Sequence, residues 1–248
     1  MLGMTRKPVI AIAPIRYYDS VQRHNLPKIK EYIAKAKKHG ADIVCFPESC
    51  ITKYGSVFLN GSFITGIREE CKKHSIWSII TEDTKIGKRI YNISILIDRE
   101  GKIRGRYKKI NLLGDNNSKA GNRVRVFDTD FARIGIVICW DLTFPGLFDK
   151  MKRMGAEIVF CPSAWNYDWP AHEKAHKKRE IELLRALTLA RAHENLFYIA
   201  LCNPIVESKT QVSYSAISGP VEILKELIDE EGIIAARVDL SKLRKLSL

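Results

Sequence analysis

The chain has 248 residues, of which 46% are hydrophobic and 28% are charged. These shares are close to globular averages and exclude collagen-like, low-complexity and wholly disordered chains. No run approaches the roughly 18 apolar residues of a membrane span, and the first ten residues lack the long apolar segment of a secretory signal. We therefore expect a cytoplasmic location. Because no Pro-, Gly- or Ser-rich linker divides the chain, residues 1–248 are predicted to form a single domain.

The charge is strongly positive, with 41 Lys and Arg against 28 Asp and Glu, a net charge of +13. Such a balance raises the possibility of a nucleic-acid partner. The basic residues, however, are spread through 28–38, 102–109, 150–153 and 174–179, where they alternate with apolar residues and form no single basic arm. We therefore predict no nucleic-acid and no membrane partner, and a non-catalytic basic binding protein stays as an alternative.

The six cysteines contain no C-x-x-C pair and lie mostly inside apolar runs. This placement favours buried, reduced thiols in a reducing compartment over a disulfide framework.

Strand and helix patterns alternate along the chain, giving about nine or more strands and four main helices. In the first half, strands are predicted at 8–14, 42–46, 76–81, 92–98 and 103–108, and helices at 26–39 and 62–74. The last two of these strands are joined by a Gly-containing turn and predict a hairpin, so the sheet need not be all parallel. A polar loop follows over 113–122.

The second half repeats the alternation. Strands are predicted at 133–138, 157–161, 196–202, 213–218 and 233–238, and helices at 144–154 and 170–195. Pro170 suits the first turn of the long helix. Many strands combined with paired helices predict a layered α/β sandwich.

Cys139 follows the β-branched run 133–138, where the chain turns towards a helix. Ligands of open α/β sheets bind at this carboxyl end of the strands, and a nucleophile at such a bend is followed by a backbone N–H able to face an oxyanion. A cysteine nucleophile needs a base or cation beside it. Glu48 and Lys109 also follow strands, so the three side chains are candidates for one site. The alternatives are a buried structural thiol, a solvated loop glutamate and a basic edge-strand lysine.

These stretches resemble the motifs of the nitrilase superfamily of carbon–nitrogen hydrolases. The resemblance lies in Phe46-Pro47-Glu48, in Tyr107-Lys108-Lys109-Ile110-Asn111-Leu112 and in Cys139-Trp140-Asp141. Residues 155–165, 190–203 and 213–220 are similar to further family segments, so the likeness extends over nearly the whole chain. Cys-Trp-Asp is more similar to amidase-type branches than to true nitrilases.

The resemblance implies a four-layer αββα sandwich with mixed sheets, paired into a homodimer or larger assembly through helices flanking the nucleophile and the carboxyl end. It also implies that Cys139 attacks an amide or nitrile carbon, that Glu48 is the general base and acid, and that Lys109 and the Trp140 backbone N–H hold the oxyanion. A thioester forms and water releases the acid, with no cofactor and no metal. The expected substrate is a small amide or N-carbamoyl compound; a true nitrilase is an alternative.

The chain departs from the family pattern in two places. Many members carry a second glutamate between the lysine and the cysteine motifs; in the corresponding stretch here, 112–119, Asp115 is the only acid. Asp115 is therefore a candidate for substrate positioning, with a shorter reach. After the nucleophile, Thr143 and Gly146 replace an Arg and a Glu, which indicates a changed pocket wall or a lost ion pair.

A competing motif is His172-Glu173-Lys174-Ala175-His176, which fits the H-E-x-x-H pattern of zinc hydrolases. It lacks a clear third ligand and lies in a Lys-rich stretch, so we favour a solvated helix start near the pocket mouth. Trp165 and Tyr167, just upstream, are candidates for the pocket lining or for an aromatic cluster. Asn111 and Glu194 are predicted to support the site or the structure.

Overall fold

The structure is a computed structural model that describes residues 7–17, 23–52, 55–113, 117–166, 174–206 and 211–246. Within these ranges the chain forms two six-stranded sheets, both mixed, which are flanked by helices. This arrangement confirms the predicted α/β sandwich. No helix of the described ranges is both long and apolar enough to cross a membrane.

The first sheet has a parallel centre and antiparallel flanks. Its strands are β1 (Val9–Ile12), β2 (Ile43–Glu48), β3 (Trp77–Ile86), β4 (Arg89–Ile97), β5 (Ile103–Lys108) and β12 (Ile234–Arg237). They lie in the order β12-β1-β2-β3-β4-β5, so β5 and β12 are the two edges. Strands β1, β2 and β3 are parallel, whereas β4, β5 and β12 each pair antiparallel with their neighbours.

The second sheet repeats this plan. Its strands are β6 (Val126–Asp128), β7 (Arg133–Ile136), β8 (Ile158–Pro162), β9 (Tyr198–Cys202), β10 (Tyr214–Ser218) and β11 (Ile223–Ile228). They lie in the order β11-β10-β9-β8-β7-β6, with β7, β8 and β9 parallel and the others antiparallel. The carboxyl ends of β2 and β8 meet where the sheets face each other, because the Glu48 N–H donates to the Ser163 carbonyl at 3.1 Å.

Five α-helices are present in the described part of the chain. They are α1 (Leu26–Lys38), α2 (Ser62–His74), α3 (Pro145–Arg153), α4 (Lys174–Asn195) and α5 (Leu240–Leu246). In α1 the buried residues Ile29, Ile33 and Ala36 recur at steps of three and four, so they form one apolar stripe. Helices α1 and α2 cover the first sheet and α3 and α4 cover the second.

Strand residues alternate between two apolar cores. Ile10 and Ile12 of β1 face the core between the sheets, whereas Val9 and Ala11 face the core under α1 and α2. This period of two follows from the pleat of the strand. Because both faces of the central strands are buried, these strands read as continuous apolar runs, which is why the sequence identifies them.

The structure adds elements that the sequence pattern does not predict. Strand β6 has only three residues, strand β11 carries Lys225 and Glu226 at its centre, and helix α5 has seven residues, so none of them presents a long apolar pattern. Strand β3 continues to Ile86, beyond the predicted end at Thr81. The polar residue after that point, Glu82, is wholly buried because its carboxylate accepts the N–H groups of Ile51 (2.7 Å) and Thr52 (3.1 Å). Helix α4 is described from Lys174, so the predicted start at 170 lies outside the described residues.

Candidate active site

Glu48 ends strand β2 and is buried between the sheets, with 5% of its side chain exposed. Its carboxylate accepts three hydrogen bonds. Oε1 accepts from Lys109 Nζ at 3.0 Å and from Asn92 Nδ2 at 2.9 Å, and Oε2 accepts from the Ala164 N–H at 3.0 Å. The Tyr17 hydroxyl donates to the Glu48 carbonyl at 2.8 Å. The carboxylate is thus held by groups from separate parts of the chain.

Lys109 follows strand β5, as the sequence predicts, and 2% of its side chain is exposed. Its backbone is fixed on both sides, because its N–H donates to the Asn92 carbonyl at 2.9 Å and its carbonyl accepts the Gly121 N–H at 2.7 Å. At Gly121 a Cβ atom would lie 2.3 Å from the Lys108 carbonyl oxygen, so only glycine permits this close approach. The ammonium forms a buried ion pair with Glu48.

Cys139 begins the short 3-10 helix Cys139–Thr143 that follows β7. Its φ angle is +48°, in the left-handed region that non-glycine residues seldom adopt. Such strain is concentrated at functional sites. The residue is 8% exposed, whereas the other five cysteines, Cys45, Cys50, Cys71, Cys161 and Cys202, are fully buried. All six are free, as predicted from their placement.

The surroundings of Cys139 keep its thiol protonated. Burial raises the pKa of the Cys139 thiol well above its ordinary value, and the negative charge of Glu48 raises it further. The positive charge of Lys109 and a hydrogen bond from the Ala164 N–H act in the opposite direction. The thiol therefore needs a base when it reacts, and the charged groups that influence it are the two predicted from sequence.

Asp141 joins the cysteine turn to the segment after β5 and is wholly buried. Its Oδ2 accepts from the Tyr107 hydroxyl at 2.8 Å and from the Ile138 N–H at 3.1 Å. Its Oδ1 accepts from Asn111 twice, through the backbone N–H at 2.8 Å and through Nδ2 at 2.9 Å. One carboxylate thus fixes the backbone just before Cys139 relative to the segment that carries Lys109. Asn111 supports the site in this way, as predicted.

Helix α4 holds the other end of the cysteine turn. Arg191 is buried and donates through Nε to the Leu142 carbonyl at 3.3 Å. Its guanidinium also pairs with Glu194 at 3.0 Å and lies over the ring of Phe148. Glu194 is thus connected to the turn through Arg191, and its supporting role stays a prediction.

Two tryptophans pack beside the cysteine turn. The rings of Trp140 and Trp165 lie 5.5 Å apart at a tilt of 40°. Trp165 is 3% exposed, and its indole N–H donates to Glu180 at 3.1 Å while its backbone N–H donates to Asn203 Oδ1 at 2.9 Å. The structure thus brings one predicted pocket residue, Trp165, next to the turn, within an aromatic pair.

Three residues singled out in the sequence lie outside the described ranges: Asp115, Tyr167 and His172. Their predicted roles, in substrate positioning, pocket lining and zinc binding, therefore stay predictions. Among the described residues, no group of three or more His, Cys, Asp or Glu side chains is placed to hold a metal ion.

Sequence reasoning missed Asn92, Tyr17 and the backbone N–H of Ala164, all of which contact Glu48. Asn92 is 2% exposed in the middle of β4, and its Oδ1 has no hydrogen-bond partner among the residues that the structure describes. An asparagine inside an otherwise isoleucine-rich strand is the one available signal, because asparagine is depleted in strands. The contacts of Tyr17 and Ala164 with Glu48 depend on how distant parts of the chain come together, so the residue types alone do not predict them.

A family model for carbon-nitrogen hydrolases matches residues 9–247. The chain belongs to the carbon–nitrogen hydrolase family. The match covers nearly all of the sequence and includes the stretches that carry Glu48, Lys109 and Cys139, so it confirms the resemblance to the nitrilase superfamily.

This carbon–nitrogen hydrolase is similar to curated amidases. It is 29% identical to a chloroplastic omega-amidase of Arabidopsis thaliana, an alignment that covers 91% of this chain and 66% of that protein. It is also 29% identical to the 2-oxoglutaramate amidase of Bacillus subtilis (strain 168), over 88% of this chain and 85% of the relative. The family and these relatives identify an amidase-like carbon–nitrogen hydrolase, as the cysteine motif predicts.

Solved structures share the fold of this hydrolase. The carbon-nitrogen hydrolase of Helicobacter pylori G27 superposes with a TM-score of 0.86 at 20% identity, covering 97% of this chain and 92% of that one. An amidase from Nesterenkonia sp. AN1, in a mutant whose active-site cysteine carries the acetamide moiety of fluoroacetamide, superposes with a TM-score of 0.81 at 19% identity. That alignment covers 99% of this chain and 97% of the amidase.

Proposed function

We propose that the protein hydrolyses the C–N bond of a small amide through a thioester on Cys139, with Glu48 as general base and acid. The observation that carries this proposal is the buried pair of Glu48 and Lys109, whose charged atoms lie 3.0 Å apart. The charges of both residues act on the pKa of the Cys139 thiol. The covalent adduct on the cysteine of the Nesterenkonia amidase supports nucleophilic catalysis in a protein of this fold.

The first half of the proposed reaction forms the thioester. Glu48 takes the proton of the Cys139 thiol as the sulfur attacks the carbonyl carbon. The carbonyl oxygen gains a negative charge, which Lys109 and the Trp140 backbone N–H stabilise; N–H groups in the first turn of a helix lack an intrahelical acceptor. Collapse of this intermediate breaks the C–N bond, and Glu48 returns the proton to the departing nitrogen. Ammonia leaves when the substrate is a primary amide.

The second half releases the acid. Water attacks the thioester carbon while Glu48 takes one of its protons, and Lys109 again faces the oxyanion. The C–S bond then breaks, and Glu48 reprotonates the Cys139 sulfur. Glu48 thus ends each half-reaction in its starting state, and one amide plus one water gives one acid plus one amine.

The test of the nucleophile combines labelling with turnover. Iodoacetamide is expected to label Cys139 alone, because the other five thiols are fully buried. Cys139→Ala should lose the label and lower turnover by about a thousandfold or more, as expected for removal of a nucleophile. The matched control is Cys71→Ala, which removes a fully buried thiol of α2 and should keep both label and turnover. Turnover by Cys139→Ala within about tenfold of wild type would refute the assignment.

The roles of the ion pair need variants that separate stability from chemistry. Lys109→Met leaves the Glu48 carboxylate buried without its cation, which costs about 3–5 kcal/mol of folding stability. The double variant Glu48→Gln/Lys109→Met removes both charges and should recover much of that loss. Neither variant should turn over amide. Full activity of the double variant, or an effect of Lys109→Met on KM alone, would contradict the proposed roles.

The substrate panel follows from the relatives. It contains 2-oxoglutaramate, acetamide, an N-carbamoyl compound and a small nitrile, each assayed for ammonia release. We expect amides to be consumed faster than the nitrile. Faster turnover of the nitrile would favour the true nitrilase, and inhibition by a chelator with no cysteine labelling would favour a zinc hydrolase using His172 and His176.

We also propose a homodimer that pairs through α3 and α4. Three large apolar side chains on or beside these helices are exposed: Phe144 (39%), Met154 (40%) and Leu183 (44%). Leu183→Asp should yield monomers in light scattering, whereas Phe58→Asp, at an exposed residue before α2 beside the first sheet, should not. If Leu183→Asp formed dimers with unchanged affinity, the proposed interface would be refuted.

We also propose a cytoplasmic location, on the basis of the six free thiols, and cell fractionation would test it.

A further inference from the structure

A cationic groove lies along strand β5, at the edge of the first sheet. Its volume is about 830 Å³, and five basic residues line it: Arg104, Arg106, Lys108, Arg123 and Arg125. None of the described residues that line the groove is acidic. The volume is within the range of roughly 300–1,000 Å³ that is usual for small-molecule sites.

The sequence of β5 explains why the basic residues share one side. Arg104, Arg106 and Lys108 are spaced by two, so they project from the same face of the strand. Tyr107 and Lys109 project from the other face, where both are buried. The groove and the Glu48–Lys109 pair are therefore on opposite faces of one strand, and the groove is a separate site.

Four of the five cations have no carboxylate partner within the described part of the chain. Arg104 pairs with Asp98 at 3.0 Å, and Lys108 lies 3.6 Å from the centre of the Tyr91 ring. Arg106, Arg123 and Arg125 are exposed, and no ion pair to a described residue involves them. Elsewhere on the described surface, arginines such as Arg133 and Arg185 pair with acids. The groove thus concentrates positive charge that the protein does not neutralise.

The floor of the groove is apolar. Leu59, Ile86, Ile93 and Ile103 line it beneath the basic residues, and Ile86 is 36% exposed. A ligand that fits must therefore present several negative charges to the arginines and an apolar or aromatic surface to the floor. Guanidinium groups bind phosphate oxygens in bidentate fashion.

We propose that this groove binds a small molecule that carries a di- or triphosphate together with an apolar or aromatic group. Arg106, Arg123 and Arg125 contact the phosphates, and the partly exposed side chains of Leu59, Ile86 and Ile103 contact the apolar group. The site is independent of the amide chemistry, since Lys108 and Ile93 face the groove while their chain neighbours Lys109 and Asn92 contact Glu48 on the other face.

The test is calorimetric titration of the wild-type protein with tripolyphosphate and with ATP, each used as a probe. Both should bind, and ATP should bind more tightly because its base contacts the floor. Arg106→Gln/Arg125→Gln should weaken each by roughly tenfold or more, as expected for the loss of charged hydrogen bonds. The matched control is Lys225→Gln/Arg237→Gln, which removes the same charge from strands β11 and β12 and should bind like wild type.

Equal weakening in both double variants would show an effect of net charge only and would overturn the site. The proposal would also be overturned if neither probe bound at millimolar concentration. Binding of a short DNA duplex without binding of tripolyphosphate would overturn it as well. ATP binding no tighter than tripolyphosphate would refute the role of the floor. Unfolding midpoints of all variants, measured by circular dichroism, identify any variant that fails through misfolding, and single Arg125→Gln then replaces the double variant.

Discussion

The carboxylate of Asp141 offers the sharpest test of how the fold positions the nucleophile. Asp141→Asn keeps the size of the side chain but replaces one carboxylate oxygen with an NH₂ group. The four hydrogen bonds to Asp141 come in two pairs, from Tyr107 and Ile138 to one oxygen and from Asn111 to the other. In either orientation of the amide, two donors therefore face an NH₂ group that cannot accept.

The expected loss of folding stability follows from the number of hydrogen bonds that Asp141→Asn removes. A hydrogen bond to a charged group contributes about 1.5–3 kcal/mol, so two lost bonds destabilise the fold by about 3–6 kcal/mol. That is a large fraction of the 5–15 kcal/mol of stability typical of a folded domain. Because Ile138 immediately precedes Cys139, we expect turnover to fall as well.

The measurement is urea unfolding followed by tryptophan fluorescence, with amide turnover measured on the folded fraction. The control is Asp149→Asn in α3, whose carboxylate pairs with Arg153 on the surface and should change stability by less than about 1 kcal/mol. Tyr107→Phe removes a single donor and leaves the carboxylate charged, so it should cost less than Asp141→Asn. A loss below about 1 kcal/mol for Asp141→Asn would refute the reasoning.

Two further predictions concern buried acids. Burial raises the pKa of Glu82 well above its ordinary value, so its contribution to stability is present at low pH and is lost as pH rises through the folded-state pKa. Glu82→Gln should therefore gain stability relative to wild type between about pH 5 and about pH 7.5 in urea unfolding, and a constant difference would contradict this. Burial also raises the pKa of Cys71 to about 12, so folding stability should fall above about pH 9. Cys71→Ala should make this alkaline decline shallower by about 1.4 kcal/mol per pH unit, whereas an identical slope would refute the assignment.

Most of the elements that the sequence predicts are central strands buried on both faces or helices with one buried face. The run that forms β2 and the stripe of Ile29, Ile33 and Ala36 on α1 are readable because burial dictates their residue types. Strand β6 escapes prediction because it has only three residues, and β11 escapes because Lys225 and Glu226 interrupt its apolar residues. The extension of β3 escapes because Glu82 interrupts the apolar pattern, and only the folded chain supplies the N–H groups that this carboxylate accepts.

The residues of the candidate active site also fall into those that the sequence predicts and those that it does not. Glu48, Lys109 and Cys139 follow apolar strands, so their places at strand ends are readable, and the resemblance to a family points to the same three. Asn92 and the Ala164 N–H are not readable, since each becomes a partner of Glu48 only when β4 and the loop after β8 come together. Contacts with a sequence separation as large as that of Glu48 and Ala164 depend on the packing of one sheet on the other.

The chemistry of the thiol explains why these partners accompany it. The buried Cys139 thiol has a raised pKa, so the proposed reaction needs a base beside it. A carboxylate buried there alone would be costly, and Lys109 and the donors Asn92 and Ala164 offset that cost. In the proposed mechanism the same lysine also faces the oxyanion. If Cys139 is the nucleophile, as we propose, its burial requires a base such as Glu48, and the burial of Glu48 in turn requires the positive charge of Lys109.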